Sequence, residues 1–421
     1  MGWTMRYLNK LYYENKNIYE NTYAGRFGFE ETLRTGLFIK PFGHDTTLEL
    51  YFVFNKDTAK WMDQIRKNDD ILRRLEEDLP GIAKNSFLID IISSELKSSN
   101  DLEGVESSKE ELVETTRSRL LSKGTREGRF ASMANSYVLL YQDGALSCPE
   151  DLKDVRTIYD RITSGEIDKR DLPDGDLFRK SHVYVKKRGA VDGEIIHEGV
   201  YGERRIQDHL VKWLSFLKNE DLSLLVRVAI GHYYFGYIHP FYDGNGRAGR
   251  FISSMYLRKE FNYLTAMSLA RGSWIKRTKY YKAFQIANAA ISKGEMNYFI
   301  DEFLKILIAG QEDIIDSLGG KIGQLKEADE WIQNEEKINT KLKKAILYVL
   351  AQNYYFDGNS GLKREDIIGY TQGLANPYRI KMELGELNKE GFIDLVKKRP
   401  LVYVLGQSFI GKNVLSQDRA E

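Results

Sequence analysis

The sequence predicts a mainly α-helical protein, and three observations carry that prediction. Apolar residues recur at intervals of three and four through most of the chain. Only 7 prolines interrupt 421 residues, of which 42% are hydrophobic. Strand-type alternation is confined to three short stretches, each folded about a turn. The length is enough for two or three domains with a substantial core.

Leu37 to Asn55 alternates around Gly43-His44-Asp45 and predicts a β-hairpin. Helical spacing runs from Ala59 to Asp78, stops at Pro80-Gly81, and resumes from Ser86 to about Lys97 with Phe87, Ile91, Ile92 and Leu96 on one face. A polar, glycine-bearing turn ends at Arg129. Phe130 to Tyr141 predicts a core helix and Val155 to Ser164 a shorter one. Val183 to His197 reads as two short strands about a glycine-containing loop. From Arg205 to Leu217, Ile206, Leu210, Trp213, Leu214 and Leu217 fall at helical spacing. Leu222 to Tyr237 is apolar nearly all round, as expected at the centre of a helical domain. Its His232 reads as a core histidine rather than a metal ligand. Arg250 to Lys259 and Lys279 to Asn288 continue the helical pattern.

Gly319-Gly320 is the predicted domain joint. Beyond it, Leu342 to Leu350, Arg364 to Tyr370 and Pro377 to Lys389 predict three helices. Gly391 to Val396 and Leu401 to Leu405 then form a hairpin around Lys397-Lys398-Arg399-Pro400. That order predicts a winged helix, a fold that often reads DNA through its third helix. Six basic and four acidic side chains stand between Arg379 and Arg399, too balanced for a strong phosphate stripe. Protein contact or homodimerisation is therefore favoured there, with DNA kept open.

Composition excludes several classes. A net charge of +1 with 29% charged residues gives no global field for nucleic acid or membrane. The single cysteine, Cys148, allows no internal disulfide, fits a reducing compartment and reads as structural. Met1 to Arg6 lacks the apolar run of a signal peptide, and Arg6 stands where myristoylation wants Ser or Thr. No run of about 18 apolar residues exists to span a bilayer. The expectation is a cytoplasmic protein with no membrane partner.

The densest chemistry lies between His239 and Arg250. Gly244, Asn245 and Gly246 precede a predicted helix, so backbone N–H groups can approach an anion at a helix N-terminus. Arg247 and Arg250, three apart on a helix, can grip adjacent anionic groups with forked donors. Asp243 offers the hard oxygen that Mg²⁺ takes when it bridges phosphates. His239 is the side chain best suited to accept a hydroxyl proton near neutrality. Phe241 is expected to anchor the loop in the core. Gly244, Gly246 and Gly249 also satisfy the spacing of a dinucleotide fingerprint, but a helical pattern and a proline precede them where a strand would be needed.

The run His239-Pro-Phe-Tyr-Asp-Gly-Asn-Gly-Arg-Ala-Gly-Arg250 resembles the Fic family signature, His-x-Phe-x-Asp/Glu-Gly-Asn-Gly-Arg-x-x-Arg, at every fixed position. The family transfers a nucleotide monophosphate, usually AMP from ATP, to a hydroxyl of a target protein. By that resemblance His239 is the catalytic base and Asp243 holds Mg²⁺. Gly244, Asn245 and Gly246 cradle the phosphates, and Arg247 and Arg250 bind their β and γ end. Tyr281 and Asn288 resemble the segment lining the adenine pocket, and a Tyr face and an Asn amide suit a purine.

Ser99-Asn-Asp-Leu-Glu103-Gly104 resembles the inhibitory motif of self-restrained members, with the inhibitory helix N-terminal to the Fic core. Read by itself, Gly104 is also an ordinary helix-ending residue. A Glu103 carboxylate on Arg250 would occupy the donor that the γ-phosphate needs. The strand pair ending at Ile195-Ile196-His197 takes the place of the family's flap. A target segment could add to its edge, with Ile195 and Ile196 as contacts. Glu198 to Glu203 replaces the Pro-rich stretch that often follows.

Pattern and resemblance together divide the chain into an N-terminal region with the β-hairpin and inhibitory helix at 1–110, a Fic helical bundle at 111–318, which the resemblance implies, and a winged helix at 340–408, which the order of elements predicts. The resemblance further implies a protein adenylyltransferase acting on a Ser, Thr or Tyr hydroxyl, with Mg²⁺ and ATP, and with auto-modification open. Two alternatives stand beside it: removal of AMP from a modified protein, and a winged-helix regulator with a nucleotide-sensing Fic module. Another nucleotide donor is a further option.

Overall fold

The computed structural model describes residues 5–121, 128–142, 144–186 and 194–411. The prediction of a mainly helical protein holds: helices dominate, and the described strands form three small antiparallel sheets. Contacts divide the chain into two compact units, residues 1–72 with 91–314 and residues 73–90 with 315–421.

The first unit opens with α1 (Leu8–Glu14) and α2 (Lys16–Phe27), which sequence periodicity missed. They bury only Leu8, Leu11 and Tyr19, too few for a visible stripe. Asn15 caps α2, its side-chain oxygen accepting from the N–H groups of Asn17 and Ile18 at 3.0 and 3.1 Å. The predicted hairpin follows as β1 (Leu33–Ile39) and β2 (Leu48–Phe52), paired from Leu33 with Phe52 to Ile39 with Leu48. Helices α3 (Lys56–Glu77) and α4 (Gly81–Glu103) follow, and the division between units runs through this pair of segments.

The stretch read as a polar turn before Arg129 instead contains α5 (Lys109–Leu121). Its fully buried residues are Leu112 and Thr116 alone, so the apolar period that marks a helix is missing. Next come α6 (Ala131–Tyr141) and α7 (Leu152–Thr163), the latter opened by a capping box between Asp151 and Asp154. Strands β3 (Tyr184–Lys186) and β4 (Ile195–Glu198) pair antiparallel, and the loop predicted between them lies outside the described residues.

The centre of this unit is α8 (Glu203–Lys218), α9 (Leu224–Ile238) and α10 (Asn245–Leu257). α9 buries almost every residue, including Arg227, whose guanidinium donates to the carbonyls of Leu217 and Leu222. Helix α8 lies close because Gly231 has no side chain there: a Cβ would sit 2.6 Å from Leu217. The Trp213 indole donates to the Gly231 carbonyl at 2.8 Å. Short helices α11 (Tyr263–Ala266) and α12 (Leu269–Ile275) lead to α13 (Arg277–Asn288) and the long α14 (Asn297–Asn334). Gly319 and Gly320, predicted as a joint, stand inside α14. Each costs about 1 kcal/mol against alanine in a helix, which the buried Ile314, Leu318, Ile322 and Leu325 around them offset.

The second unit continues with α15 (Lys341–Asp357), β5 (Leu362–Lys363), α16 (Arg364–Thr371), α17 (Pro377–Lys389), β6 (Ile393–Lys398) and β7 (Leu401–Leu405). Its sheet has the order β5-β7-β6. Asn376 caps α17 with proline at the first turn, and Lys343 of α15 reaches Glu386 and Glu390 at 3.0 and 3.4 Å. Among the described residues no helix is long and apolar enough to cross a membrane.

Replacing Gly231 with Val should push α8 off α9. Overpacking of this kind costs roughly 1–3 kcal/mol, and the loss is expected as a lower midpoint in urea denaturation with an unchanged slope.

Candidate active site

Helix α9 ends at His239, which takes the left-handed conformation at φ 52° and turns the chain into the loop that precedes α10. A non-glycine residue there stores roughly 1–2 kcal/mol of strain, so the surroundings must hold it. The next residues do so from one side: Phe241 is fully buried and stacks on Tyr159 with ring centroids 3.5 Å apart. Arg179 does so from the other. Its Nε donates to the His239 carbonyl at 2.8 Å and its backbone N–H to the Pro240 carbonyl at 3.2 Å.

The His239 imidazole is partly buried, with Nδ1 3.3 Å from the Gly236 carbonyl oxygen. Facing an acceptor, Nδ1 carries the proton, which leaves Nε2 as the basic nitrogen. Burial and the nearby Arg179 guanidinium push its pKa down to about 4, against the Gly236 carbonyl and the Glu103 carboxylate. The ring is neutral at pH 7 and able to accept a proton.

Helix α10 begins at Asn245, five residues before the predicted start, because Gly244 at φ 79° closes its first turn and accepts from Ala248 at 3.0 Å. Arg247 and Arg250 are thus both helical. The Asn245 amide braces the loop, accepting from the Phe241 N–H at 3.0 Å and donating to the Phe241 carbonyl at 2.8 Å. Its side chain is held by these two bonds, and the residue lines the pocket described below. Asp243 accepts from Gly244 at 2.6 Å and stands 3.5 Å from Arg247, with its side chain half-exposed. Arg247 is fully buried, and none of its three guanidinium nitrogens has a hydrogen-bond partner among the described residues.

Arg250 is engaged differently. It donates from Nε to the Ser99 hydroxyl at 3.1 Å, and from Nη2 to the Ser99 carbonyl and the Glu103 carboxylate, both at 2.9 Å. Burial opposes its charge, but Glu103 and Tyr280 outweigh burial and raise its pKa. Ser99 and Glu103 are one turn apart on α4, and Glu95 is one turn earlier on the same face. Glu95 is fully buried and accepts from the N–H groups of Ala270 and Arg271 at 2.8 and 2.9 Å. Burial pushes it up to about 8 against those bonds and Arg250. Helix α4 ends at Glu103 in a Schellman motif: Gly104, at φ 76°, bonds to Asp101 and Val105 to Asn100. The glycine cap and the arginine contact thus occur together.

A pocket of about 160 Å³ brings Glu103, His239, Gly246 and Arg250 together with Tyr281 and Asn288. Gly246 makes the approach possible, since a Cβ there would stand 2.0 Å from a Glu103 carboxylate oxygen. On the far wall the Tyr281 hydroxyl donates to the Leu102 carbonyl at 2.8 Å, and Tyr233 donates to the Asn288 side chain at 2.7 Å. His232 is a buried core residue between Ser253 and Tyr280, held neutral at about 3 by burial and Arg250. From β4, Ile196 lines the pocket, whereas Ile195 is exposed. Asp243 and Arg247 belong to the same loop and helix without lining the pocket as it stands. Sequence reasoning missed Arg179 and Glu95, whose partners are main-chain groups and leave no pattern in the residue order.

Among the described residues no cluster of three acidic, His or Cys side chains could hold a metal ion alone. The half-exposed Asp243 is the one predicted ligand, and Mg²⁺ held by a single carboxylate takes its other ligands from phosphates and water. The donor set fits that use.

Comparison with known proteins shows a similarity over part of the chain. Residues 149–257, which span α7 to α10, match the Fic/DOC family. This segment is similar to Fic domains. The chain is 24% identical over 214 residues to "Protein adenylyltransferase Fic" of Drosophila melanogaster, covering 50% of this chain and 39% of that protein. The counterpart of the same name from Aedes aegypti is 29% identical over 149 residues, covering 35% of this chain and 26% of that one. The chain thus spans well under two-thirds of these relatives. A Fic family protein from Desulfovibrio desulfuricans G20 superposes with a TM-score of 0.48 at 16% identity, over 84% of this chain and 97% of that one.

Glu95 generates a pH prediction. Its folded pKa of about 8 exceeds its ordinary value of 4.5, so between those values the folded state holds a proton that the unfolded state has lost. This group's contribution to stability therefore falls as pH rises from 4.5 to 8. Urea denaturation at pH 5 and pH 8 is expected to show the stability advantage of wild type over Glu95→Gln shrinking at the higher pH.

Proposed function

We propose that this chain transfers AMP from ATP to a Ser, Thr or Tyr hydroxyl of a protein, and that Glu103 restrains the transfer. The observation that carries the reading is the pairing of Arg250 with Glu103 at 2.9 Å inside the pocket that also holds a neutral His239. The names of the Drosophila and Aedes relatives support the same activity.

His239 Nε2 takes the proton of the attacking hydroxyl as its oxygen bonds to the α-phosphorus; the bond to the β-phosphate oxygen breaks and pyrophosphate leaves. The N-terminus of α10, with its small Gly246, receives the phosphates, where free N–H groups and the helix dipole favour negative charge. Arg247 is suited to the same end, being a buried guanidinium whose nitrogens lack hydrogen-bond partners among the described residues. Asp243 would hold Mg²⁺, which offsets charge on the phosphates. Tyr281 and Asn288 would take the adenine, and the edge of the β3–β4 hairpin with Ile195 and Ile196 would take the target segment.

Restraint follows from charge and space. A γ-phosphate needs the Arg250 donors that Glu103 and Ser99 now hold, and one carboxylate on this arginine shifts where the triphosphate can lie. Loss of in-line geometry removes much of the advantage of positioning, for which a displacement of about 1 Å can cost on the order of 10²-fold. The neutral His239 favours an enzyme over a purely nucleotide-sensing module, since binding alone needs no base. We read the C-terminal unit as a winged helix, which the helix order α15, α16, α17 and the sheet β5-β7-β6 support.

With ATP labelled on its α-phosphate, Glu103→Gly is expected to raise labelling of the chain or of lysate proteins by on the order of 10²-fold, and His239→Ala in that background to abolish it. Equal label with and without His239, or none in either, would overturn the transfer reading in favour of a binding module.

A further inference from the structure

Arg179 is fully buried and makes no ion pair among the described residues. Its pKa is lowered to about 10 by burial, against weaker attractions to Tyr242, Glu198 and Asp174. A cation placed so expensively must be satisfied by dipoles. Its donors go to four carbonyl oxygens: His239 at 2.8 Å, Val200 at 2.8 Å, Ser181 at 2.5 Å and Ile238 at 3.4 Å. With its backbone bond to Pro240, it engages three consecutive carbonyls at the C-terminus of α9, where the helix leaves acceptors open and its dipole favours a cation. The other two acceptors, Ser181 and Val200, flank β3 and β4.

One guanidinium therefore ties the left-handed residue His239 to the base of the hairpin. Two further bonds run alongside it: Val200 donates to the Ile238 carbonyl at 3.0 Å, and Gly199 to the Val183 carbonyl at 3.1 Å. Gly199 also reports how closely the parts approach, since a Cβ there would lie 2.5 Å from an Arg179 nitrogen and 2.8 Å from the His239 Cβ.

We propose that Arg179 is a positioning residue for the transfer reaction, locking the His239 backbone in register with the hairpin that presents the target hydroxyl. The inference rests on the reading of His239 as the base, and it assigns Arg179 no contact with substrate. A five-donor fork can bridge carbonyls from two segments at once, whereas lysine offers a point charge without the planar fork. The titratable groups facing the imidazole are Arg179, Glu103 from α4 and His197 from β4.

The test uses the full chain with Glu103→Gly as background, adding Arg179→Lys, Arg179→Gln or Gly199→Ala. Transfer from labelled ATP is expected to fall on the order of 10²-fold in kcat for Arg179→Gln, with the KM for ATP little changed. Arg179→Lys should fall as well. The His239 imidazole, followed by NMR against pH without any turnover, should titrate well below its ordinary 6.5 in the background and in Arg179→Lys, since burial and a cation remain and the Glu103 carboxylate that raises it is gone. In Arg179→Gln, where the charge is gone but burial remains, its midpoint should move up from the background value. Gly199→Ala, which crowds the same contact and keeps the arginine, should reproduce the loss in kcat, so the proposal remains testable if Arg179→Gln fails to fold. Unchanged kcat in Arg179→Lys and Gly199→Ala would overturn the proposal, as would a fall in kcat matched by an equal loss of ATP affinity. Absence of transfer in the background itself would overturn the enzymatic reading instead, while the NMR midpoints still report on the Arg179 contact.

Discussion

A guanidinium removed from water demands a partner, and the arrangement around the pocket follows from that demand at Arg250. The side chain is fixed on the second turn of α10 and almost wholly buried, so some anion must reach it. Glu103 supplies the charge from the last residue of α4, and Ser99 supplies two further oxygens one turn earlier. Removing one partner from a buried pair typically costs about 3–5 kcal/mol because the other charge is stranded. On the proposed reading a triphosphate would compete with that carboxylate for one cation.

The three cations of the site stand in three different environments. Arg250 has a carboxylate and a serine. Arg179 has only carbonyl oxygens, a choice suited to fixing main chain. Arg247 has an aspartate at 3.5 Å and no hydrogen bond among the described residues, a condition that an incoming phosphate would relieve. Burial acts oppositely on the imidazole between them: with Arg179 nearby, neutrality is the cheaper state for His239, which is the state a base requires.

Much of this was legible in the sequence where the chemistry is contiguous. His239 to Arg250 form one loop and one helix start, so residue order and spatial order coincide, and helices such as α8 and α9 announce themselves by apolar period. Glu103 and Arg250 are separated by 147 positions, and nothing local in either segment predicts that they meet; only the resemblance to a known motif joined them. Arg179 was invisible because its acceptors are carbonyls, which every residue possesses. Helix α5 escaped because its buried face is nearly empty, and α14 runs through a glycine pair because flanking apolar burial outweighs a propensity of about 1 kcal/mol per glycine. The start of α10 was misjudged because a left-handed glycine closes its first turn.

Gly246 gives the arrangement an asymmetry. The space left by its missing side chain admits the Glu103 carboxylate, and the same space lies at the helix terminus where phosphates would approach. The proposed restraint and the proposed phosphate site thus share one vacancy. On the proposed reading, a change at Glu103 would release the restraint and leave the nucleotide site whole, but a larger residue at position 246 would close both together. The route to an unrestrained protein therefore runs, on that reading, through α4, and control would be adjusted from that helix while the residues around His239 stay fixed.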